Sequence, residues 1–442
     1  MPSPLRATIV VLTTLATFTA VVAWQRPSAP ETPPGILPVL RSGKSNWYRG
    51  NLHTHSLWSD GDDFPEMIAD WYKRNGYHFL ALTEHNLLAD GERWLTITAK
   101  STRPLALSRY RDRFGSTWVE ERPGKEDKQV RLKPLAEFRS LLEEPGRFLM
   151  IPSEEITHQF SKLPVHMNAI NLRDAIKPVD GPGVTETISV NHRLTAEQAR
   201  RLKRPILTFL NHPNFGWGVT GEQMALAPEL RYFEVYNGHP GVRNEGDATH
   251  ASCERLWDIV LSLRLGKHGL DPVRAVATDD AHGYLSFGPG KVNPGRGWVM
   301  VRSPYLTPEA IVRAMEAGDY YCSTGVVLDE LQCGPTEIAL TIKPEPGVSY
   351  RTEFIATLRD VPLTANPVLG RDGEPLPVTQ HYSDEVGKVV ARSDELSPRY
   401  RLTGQERYVR ARIVSTRKHP NPYRKGDVEM AWTQPVLPRQ SP

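Results

Sequence analysis

The amino-acid sequence predicts an α/β protein, either a barrel or a layered sheet, followed by a small antiparallel β-sandwich. Short apolar runs alternate with helical stretches about seven times between residues 47 and 325. Several of these runs are almost continuously apolar, which is typical of parallel strands buried on both faces. After residue 325, apolar and polar residues alternate between Pro- and Gly-rich turns and helical periodicity disappears, which indicates antiparallel strands.

The predicted elements follow from these patterns. The apolar runs that predict strands in the α/β region are Arg49–His53, His78–Thr83, Phe148–Ile156, Val165–Leu172, Pro205–Asn211, Tyr232–Tyr236 and Val273–Thr278. Helical signals between them, such as Pro at the first turn of the first helix, predict helices over Pro65–Asn75, Lys133–Glu144, Thr195–Lys203, Thr220–Ala227 and Ser252–Leu265. The alternating segments that predict sandwich strands are Ile338–Ile342, Tyr350–Leu358, Lys388–Ala391 and Tyr408–Val414.

The composition excludes several classes of protein. The chain has 442 residues, which predicts two or three domains, and its formal net charge of +3 argues against a dedicated nucleic-acid partner. Three cysteines are too few for a disulfide scaffold or a Cys-rich zinc module. They are expected to be small apolar residues, and pairing of Cys322 with Cys333 is the alternative in an exported protein.

The N-terminal residues predict export. Residues 7–23 carry no charge and a Pro-rich stretch follows them, which indicates a cleaved signal peptide or, alternatively, a retained N-terminal anchor. We therefore expect a periplasmic or extracellular protein, or one anchored at the outer face of a membrane and touching that membrane only through this segment. The expected organisation is a signal peptide or anchor at 1–23, a Pro-rich linker at 24–46, a barrel at 47–330 and a sandwich at 331–442. No sequence feature indicates an oligomeric state.

Histidines and carboxylates lie at or near the end of every predicted strand except Tyr232–Tyr236. In chain order, these motifs are HTHSLWSD with His53, His55 and Asp60, TEHN with His85, SEEIT with Glu154 and Glu155, VHMN with His166, NHP with His212, and DDAH with Asp280 and His282. Alternate residues at a strand end point the same way, so the two imidazoles of HTH can reach one ion. Strand C-termini meet on one face of an α/β barrel, so the motifs are expected to converge.

The set of side chains predicts a metal centre. It contains imidazoles and carboxylates but no thiolates, which suits Zn, Mn or Fe. So many ligands exceed the needs of one ion, and two or three divalent ions are therefore expected. The residues expected to take part directly in catalysis are His53, His55, Glu155, Asp280 and His282.

The ordered motifs HTH, SDG, TEHN, SEE, VH, NHP and DDAH resemble those of the PHP superfamily, which is named for polymerase and histidinol phosphatase domains, over residues 47–325. This resemblance implies a distorted seven-stranded β/α barrel with a dinuclear or trinuclear metal site. By motif position, one ion would be held by His53, His55, Glu155 and Asp280, a second by Glu155, His166 and His212, and a third by Asp60, His85 and His282.

Some positions depart from the family pattern or offer a choice. Glu84 stands where the family usually has Asp, and we expect it to support the site without binding metal. The pair Glu154-Glu155 stands where the family has a single Glu, and Glu155 is the better match, with Glu154 as the alternative. Asp280 is preferred to its neighbour Asp279 because it lies two residues before the histidine of the DDAH motif.

The expected activity is hydrolysis of a small-molecule substrate by metal-activated water. Phosphoesters are the first candidate, carbamates, carboxyl esters or amides are the second, and an inactive surface-binding module is the third. More loosely, the leader and sandwich resemble a secreted branch that includes carbaryl hydrolases. Asn237, His239 and Arg243, in EVYNGHPGVR, are expected to reach the substrate. Arg243 is suited to a fork contact with phosphate, and the alternative is that it is a solvent-exposed loop arginine. The segment 87–148 is interpreted as a lid or pocket wall, or alternatively as an ordinary surface excursion.

Overall fold

The computed structural model describes residues 46–439, so the predicted leader and nearly all of the predicted linker lie outside the described residues. Within this range the strands up to residue 323 are β1 Asn46–Asn51, β2 Phe79–His85, β3 Arg93–Thr96, β4 Glu121–Arg122, β5 Gln129–Leu132, β6 Leu149–Phe160, β7 Leu163–Ile170, β8 Leu207–Leu210, β9 Tyr232–Asn237, β10 Arg274–Thr278, β11 Trp298–Ser303 and β12 Tyr320–Ser323. The later strands are β13 Leu328–Cys333, β14 Glu337–Ile342, β15 Tyr350–Leu358, β16 Ala365–Asn366, β17 His381–Tyr382, β18 Lys388–Ser393, β19 Arg399–Arg401, β20 Glu406–Lys418 and β21 Val428–Thr433. The α-helices of the described residues are α1 Pro65–Arg74, α2 Arg103–Phe114, α3 Leu135–Leu142, α4 Val184–Leu202, α5 Gly221–Leu226, α6 Cys253–Leu263 and α7 Pro308–Ala317.

All of the strands and helices predicted from the sequence are present, with shifted ends. The largest shift is in α4, which begins at Val184 rather than at Thr195. The elements that were not predicted are helices α2 and α7 and strands β3, β4, β5, β11, β12, β13, β16, β17, β19 and β21. α7 nevertheless has a clear start signal, because Thr307 accepts a hydrogen bond from the Ala310 N–H and Pro308 opens the helix. No helix within residues 46–439 is long and apolar enough to cross a membrane.

The central sheet is mixed and has the strand order β10-β9-β8-β7-β6-β2-β1-β11-β12-β21-β20-β15-β18. β9 is parallel to β8 and β10, and β2 is parallel to β1 and β6, whereas β7 is antiparallel to both of its neighbours. Just beyond β1 and β10, Thr54 and Ala281 form a parallel bridge. There the His55 N–H donates to the Ala281 carbonyl and the Asp280 N–H donates to the His53 carbonyl, each at 3.0 Å. The chain segments that follow β1 and β10 are therefore held side by side.

β2 is buried on both of its faces, as the continuous apolar run indicated. Phe79 and Ala81 belong to the hydrophobic cluster that also contains residues of β8, β9 and β10, whereas Leu80 and Leu82 belong to the cluster that contains the apolar face of α1. Glycine is required at position 50 of the neighbouring strand, because a Cβ there would lie 2.1 Å from the Phe79 ring. Contact between β1 and β2 thus depends on the absence of a side chain at Gly50.

The C-terminal strands continue the central sheet. β21 pairs antiparallel with β12, and β20, β15 and β18 follow it outward. A separate sheet of β13, β14 and β19 contributes Leu331, Ile338 and Leu340 to a hydrophobic cluster shared with Phe354 and Ile413. The boundary that the sequence placed at residue 331 stays a prediction.

The cysteines are Cys253, Cys322 and Cys333, and all three are buried free thiols. The alternative of a Cys322–Cys333 disulfide is therefore wrong.

The segment 87–148 folds into the small sheet β3-β5-β4 with α2 and α3, and it packs against α1. Three of its arginines, at alternate positions of α2, each donate hydrogen bonds to a carboxylate. Arg109 donates to Asp63, Arg111 to Glu121 and Arg113 to both oxygens of Asp70. Their charges therefore serve to attach and brace this segment.

A buried carboxyl group joins α1 to this segment. Glu66 is fully buried and accepts a hydrogen bond of 2.5 Å from the Tyr110 hydroxyl, which in turn accepts one from the Trp118 indole. The second carboxyl oxygen of Glu66 has no hydrogen-bond partner within residues 46–439. Burial raises the pKa of Glu66 to about 7, because the ionised form loses its hydration. The folded protein therefore retains a proton here that the unfolded chain releases near pH 4.5.

We expect Glu66→Gln to flatten the pH dependence of stability. Since the folded state binds the extra proton, the free energy of unfolding of the wild type falls as pH rises from 4.5 through about 7. This single group contributes a loss on the order of 3 kcal/mol. The glutamine oxygen still accepts from Tyr110 and carries no charge. Denaturant unfolding at about pH 5 and about pH 8 should show the variant gaining on the wild type at the higher pH.

The control for this prediction is Glu197→Gln, because Glu197 is exposed on α4. This control should leave the pH dependence unchanged. An equal stability difference between Glu66→Gln and the wild type at both pH values would contradict the account.

Candidate metal centre

The nine predicted metal ligands form one cluster at the ends of the central strands. His53, His55 and Asp60 follow β1, His85 ends β2, Glu155 and His166 lie in β6 and β7, His212 follows β8, and Asp280 and His282 follow β10. His85 and Glu155 are register partners in parallel strands, so their side chains emerge on the same face of the sheet. The bridge between the segments after β1 and β10 brings the ligands of those segments to the same place.

Four overlapping groups within this cluster have the geometry to hold a metal ion. In each group the candidate ligand atoms lie within 4.8 Å of one another. The groups are His55, Asp60, His85 and His282; His53, His55 and Glu155; His53, His212 and Asp280; and Glu155, His166 and His212. Because Glu155, His53, His55 and His212 each belong to two groups, the ions would be close neighbours.

In the most buried part of the cluster, several nitrogen and oxygen atoms face one another without hydrogen bonds. The Nε2 atoms of His53 and His55 lie 3.2 and 3.3 Å from Oδ1 of Asp280, and Nε2 of His55 lies 3.4 Å from Oε2 of Glu155. Both Nε2 atoms and Glu155 Oε2 are buried without a hydrogen-bond partner in the described chain. Leaving a buried polar atom unpaired costs about 1–3 kcal/mol. Three such atoms that converge at these distances fit a bound divalent ion.

The other groups extend from this centre. On one side, His166 Nδ1 and His212 Nε2 lie 3.1 and 3.4 Å from Oε1 of Glu155. On the other side, Asp60 lies 3.4 Å from His85 Nε2 and 3.3 Å from His282 Nε2. The Asp60 side chain is 55% exposed, whereas Glu155 is 1% exposed, so solvent reaches the centre from the Asp60 side.

The electrostatics hold Glu155 and His55 in the protonation states that bind a metal ion, whereas His53 is held protonated. Burial alone would lower the pKa of His53, but the adjacent carboxylates, first among them Asp280, raise it well above its usual value, so a metal ion that binds there would displace a proton. Burial alone would raise the pKa of Glu155, but the adjacent imidazoles, first among them His53, hold it well below its usual range. Burial lowers the pKa of His55 to about 3, and the positive charge of the nearby His282 adds to this effect. An ionised carboxylate and a neutral imidazole are the forms that bind a metal ion.

Glu234 on β9 is a functional residue that sequence reasoning missed. Its carboxylate is fully buried and lies 2.7 Å from Nδ1 of His53, so that Nε2 of this imidazole faces the cluster. It also accepts hydrogen bonds from the Thr278 hydroxyl and the His212 N–H. Such carboxylate–imidazole contacts fix the orientation and tautomer of a ligand. The available signal was one carboxylate inside the otherwise apolar run YFEV, in the strand that had no assigned ligand.

Neighbouring acidic residues are separated by strand alternation. Glu155 points into the cluster, whereas Glu154 accepts a hydrogen bond from the Ile176 N–H and lies outside it. Glu84 also lies outside the four metal-binding groups, and it accepts hydrogen bonds from the N–H and hydroxyl of Ser56. The structure thus places Glu155, and neither of the other two glutamates, among the candidate ligands.

Asp279 and Asp280 also face opposite sides. Asp279 accepts hydrogen bonds from the N–H groups of Gly295, Arg296 and Gly297, which secures the loop before β11. Asp280 points into the cluster and has a φ of 50°, in the left-handed region that L-residues seldom adopt. His212 has a φ of 22°, so two candidate ligands hold unusual backbone conformations, as residues of functional sites often do.

The three residues expected to contact substrate have different surroundings. Asn237 is buried, and its amide donates to Glu234 and to Oδ2 of Asp280, so it positions a ligand and has no free donor for substrate. His239 is half-buried, with its ring centroid 5.7 Å from that of His282. Arg243 is exposed, and its guanidinium lies 4.8 Å from the centre of the Trp217 ring.

No family model matches the chain, and no curated protein matches it. Two solved structures that resemble it are described as predicted or proposed metal-dependent phosphoesterases. One is a two-domain protein from Bacteroides vulgatus containing a predicted PHP-like metal-dependent phosphoesterase, at 14% identity and a TM-score of 0.37, covering 91% of this chain and 99% of that one. Another is a proposed metal-dependent phosphoesterase from Bifidobacterium adolescentis, at 13% identity and a TM-score of 0.30, covering 60% of this chain and 94% of that one.

We expect Glu155→Gln to lower the metal content of the purified protein, because it removes the charge shared by two of the metal-binding groups. Glu154→Gln is the matched control at the adjacent position and should retain the wild-type content. Elemental analysis after dialysis measures both. Loss of ions from the Glu154 variant, with retention by the Glu155 variant, would show that the wrong glutamate has been assigned.

Proposed function

We propose that this protein is a metal-dependent hydrolase that cleaves phosphoesters at the nine-residue cluster. The observation that carries the proposal is the convergence of three buried ligand atoms without partners, Nε2 of His53, Nε2 of His55 and Oε2 of Glu155. We further propose that β1, β2 and β6–β10 form a distorted seven-stranded barrel, supported by the bridge between Thr54 and Ala281.

The four groups of side chains described above would hold two or three divalent ions. Nitrogen and oxygen donors without thiolates suit Zn, Mn or Fe. Such ions would supply Lewis acidity and would lower the pKa of a water ligand from 15.7 to about 7.

The residues of the chain prepare this site before substrate arrives. Glu234 fixes the His53 imidazole through Nδ1, and Asn237 fixes the carboxylate of Asp280. His53, His55 and Glu155 are at most 1% exposed, so these three side chains are shielded from bulk water, which reaches the cluster from the Asp60 side. In a site of low polarity, fixed charges act more strongly on the substrate than they would in water.

The overlap of the groups suits a phosphoester substrate. The charge of a phosphoryl group in its transition state is spread over several oxygens. Closely spaced cations can bind the attacking and leaving oxygens of such a group at the same time. Because Glu155 and His55 each belong to two groups, this arrangement would hold ions close to one another.

We also propose that the protein is exported and acts on a small molecule. Export is supported by the uncharged segment 7–23, which lies outside the described residues.

The direct test is a substrate screen with metal-loaded protein against phosphomonoesters, phosphodiesters, carboxyl esters and carbamates. We expect turnover of a phosphoester and a loss of at least about a hundredfold in His53→Ala, because a metal ligand is removed. The control is His381→Ala, at an exposed histidine of β17, which should keep full activity. Turnover of carboxyl esters or carbamates alone would overturn the phosphoester assignment, and no turnover at all would overturn the hydrolase.

A further inference from the structure

We propose that His239 is a neutral hydrogen-bond donor that holds a non-bridging oxygen of the substrate through Nε2–H. This inference rests on the proposed hydrolase and names a further residue that contacts its substrate. His239 lies on the loop after β9 and is not a member of any of the four metal-binding groups.

The tautomer of His239 follows from one backbone contact. The N–H of Gly241 donates to Nδ1 of His239 at 2.9 Å. A backbone N–H can only donate, so Nδ1 must be the unprotonated nitrogen and Nε2 must carry the hydrogen. Within the described residues, no hydrogen bond to Nε2 is formed. The ring therefore presents one unused N–H.

The position of the ring is tied to the metal centre. The backbone N–H of His239 donates to Oδ1 of Asn237, and the amide of Asn237 donates to Asp280. The ring centroid lies 5.7 Å from that of His282 and 6.2 Å from that of Phe215. The Phe215 ring lies 5.2 Å from that of His212. The His239 ring thus lies beside the cluster, next to the ligand His282.

Gly241 leaves the space that the ring requires. A Cβ at this position would lie 3.0 Å from both Cε1 and Nδ1 of His239. Any side chain there would push the imidazole away and weaken the bond that fixes its tautomer. The sequence GHPG therefore supplies both the ring and the gap into which it fits.

The fixed tautomer limits what His239 can do. It cannot be a ligand through Nε2, because that nitrogen is protonated. A second proton would go to Nδ1 and would cost the bond from Gly241, so this contact favours the neutral ring. The remaining role is a fixed dipole that holds an oxygen on which charge develops, and loss of one such donor typically costs about 10²–10³ in rate.

The kinetic test compares His239→Ala with His239→Gln, which keeps an N–H donor. We expect kcat/KM for a phosphoester to fall about 10²–10³-fold in the alanine variant and less than about tenfold in the glutamine variant. The loss should be the same for aryl and alkyl phosphates, because the oxygen held is not the leaving group. A loss that grows with the leaving-group pKa, or full activity of His239→Ala, would overturn the inference and leave the hydrolase intact.

The second test needs no substitution at His239. Nitrogen-15 NMR of histidine-labelled, metal-loaded protein should show the Nε2-protonated tautomer at this residue, and inorganic phosphate should shift its signal. Gly241→Ala should disturb that tautomer without changing metal content. An Nδ1-protonated ring, or phosphate binding that leaves the signal unmoved, would refute the role. A protein that neither hydrolyses phosphoesters nor binds phosphate would overturn both proposals.

Discussion

The rest of the site depends on the contacts that one buried carboxylate, Glu155, makes with the surrounding imidazoles. Nitrogen atoms of five imidazoles lie within 3.6 Å of its oxygens, from His53, His55, His85, His166 and His212. Such a set of groups can be taken out of water only if opposite charges face one another, because unpaired buried charge is costly. Glu155 meets that need in part, and its Oε2 still lacks a hydrogen-bond partner within the described residues. When the imidazoles are neutral, as metal ligands must be, Glu155 and the neighbouring Asp280 would leave a buried negative charge that bound cations would balance.

The backbone places this carboxylate and its partners from distant parts of the chain. Parallel pairing of β2 with β6 sets His85 beside Glu155, and the antiparallel hairpin of β6 and β7 brings His166 back to it. The hydrogen bonds between the segments after β1 and β10 bring in His53 and Asp280. Residues that do not bind metal then fix the ligands, with Glu234 against His53. The C-terminal strands extend the same sheet through β12 and β21, on the side of β1 away from β2.

The strands and the candidate ligands near their ends could be predicted from the sequence, whereas the exact ends of the strands and the contacts around the ligands could not. Strand periodicity located His53, His55 and His212, because a histidine at the end of an apolar run can be recognised from the sequence alone. Glu234 was missed because it lies inside an apolar run, where only its contact with His53 reveals its role. The bond from Gly241 to His239 was equally invisible, since it depends on the path of a loop. The Cys322–Cys333 alternative failed because spacing along the chain does not report which side chains meet.

The central claim is that the cluster around Glu155 is a multinuclear metal centre. Anomalous diffraction from crystals of the metal-loaded protein, recorded at the absorption edge of the bound metal, tests it directly. We expect two or three peaks between Glu155 and the imidazoles that follow β1, β8 and β10, that end β2 and that lie in β7, with nitrogen and oxygen neighbours only. A protein that binds no metal, or peaks that lie away from Glu155, would contradict it.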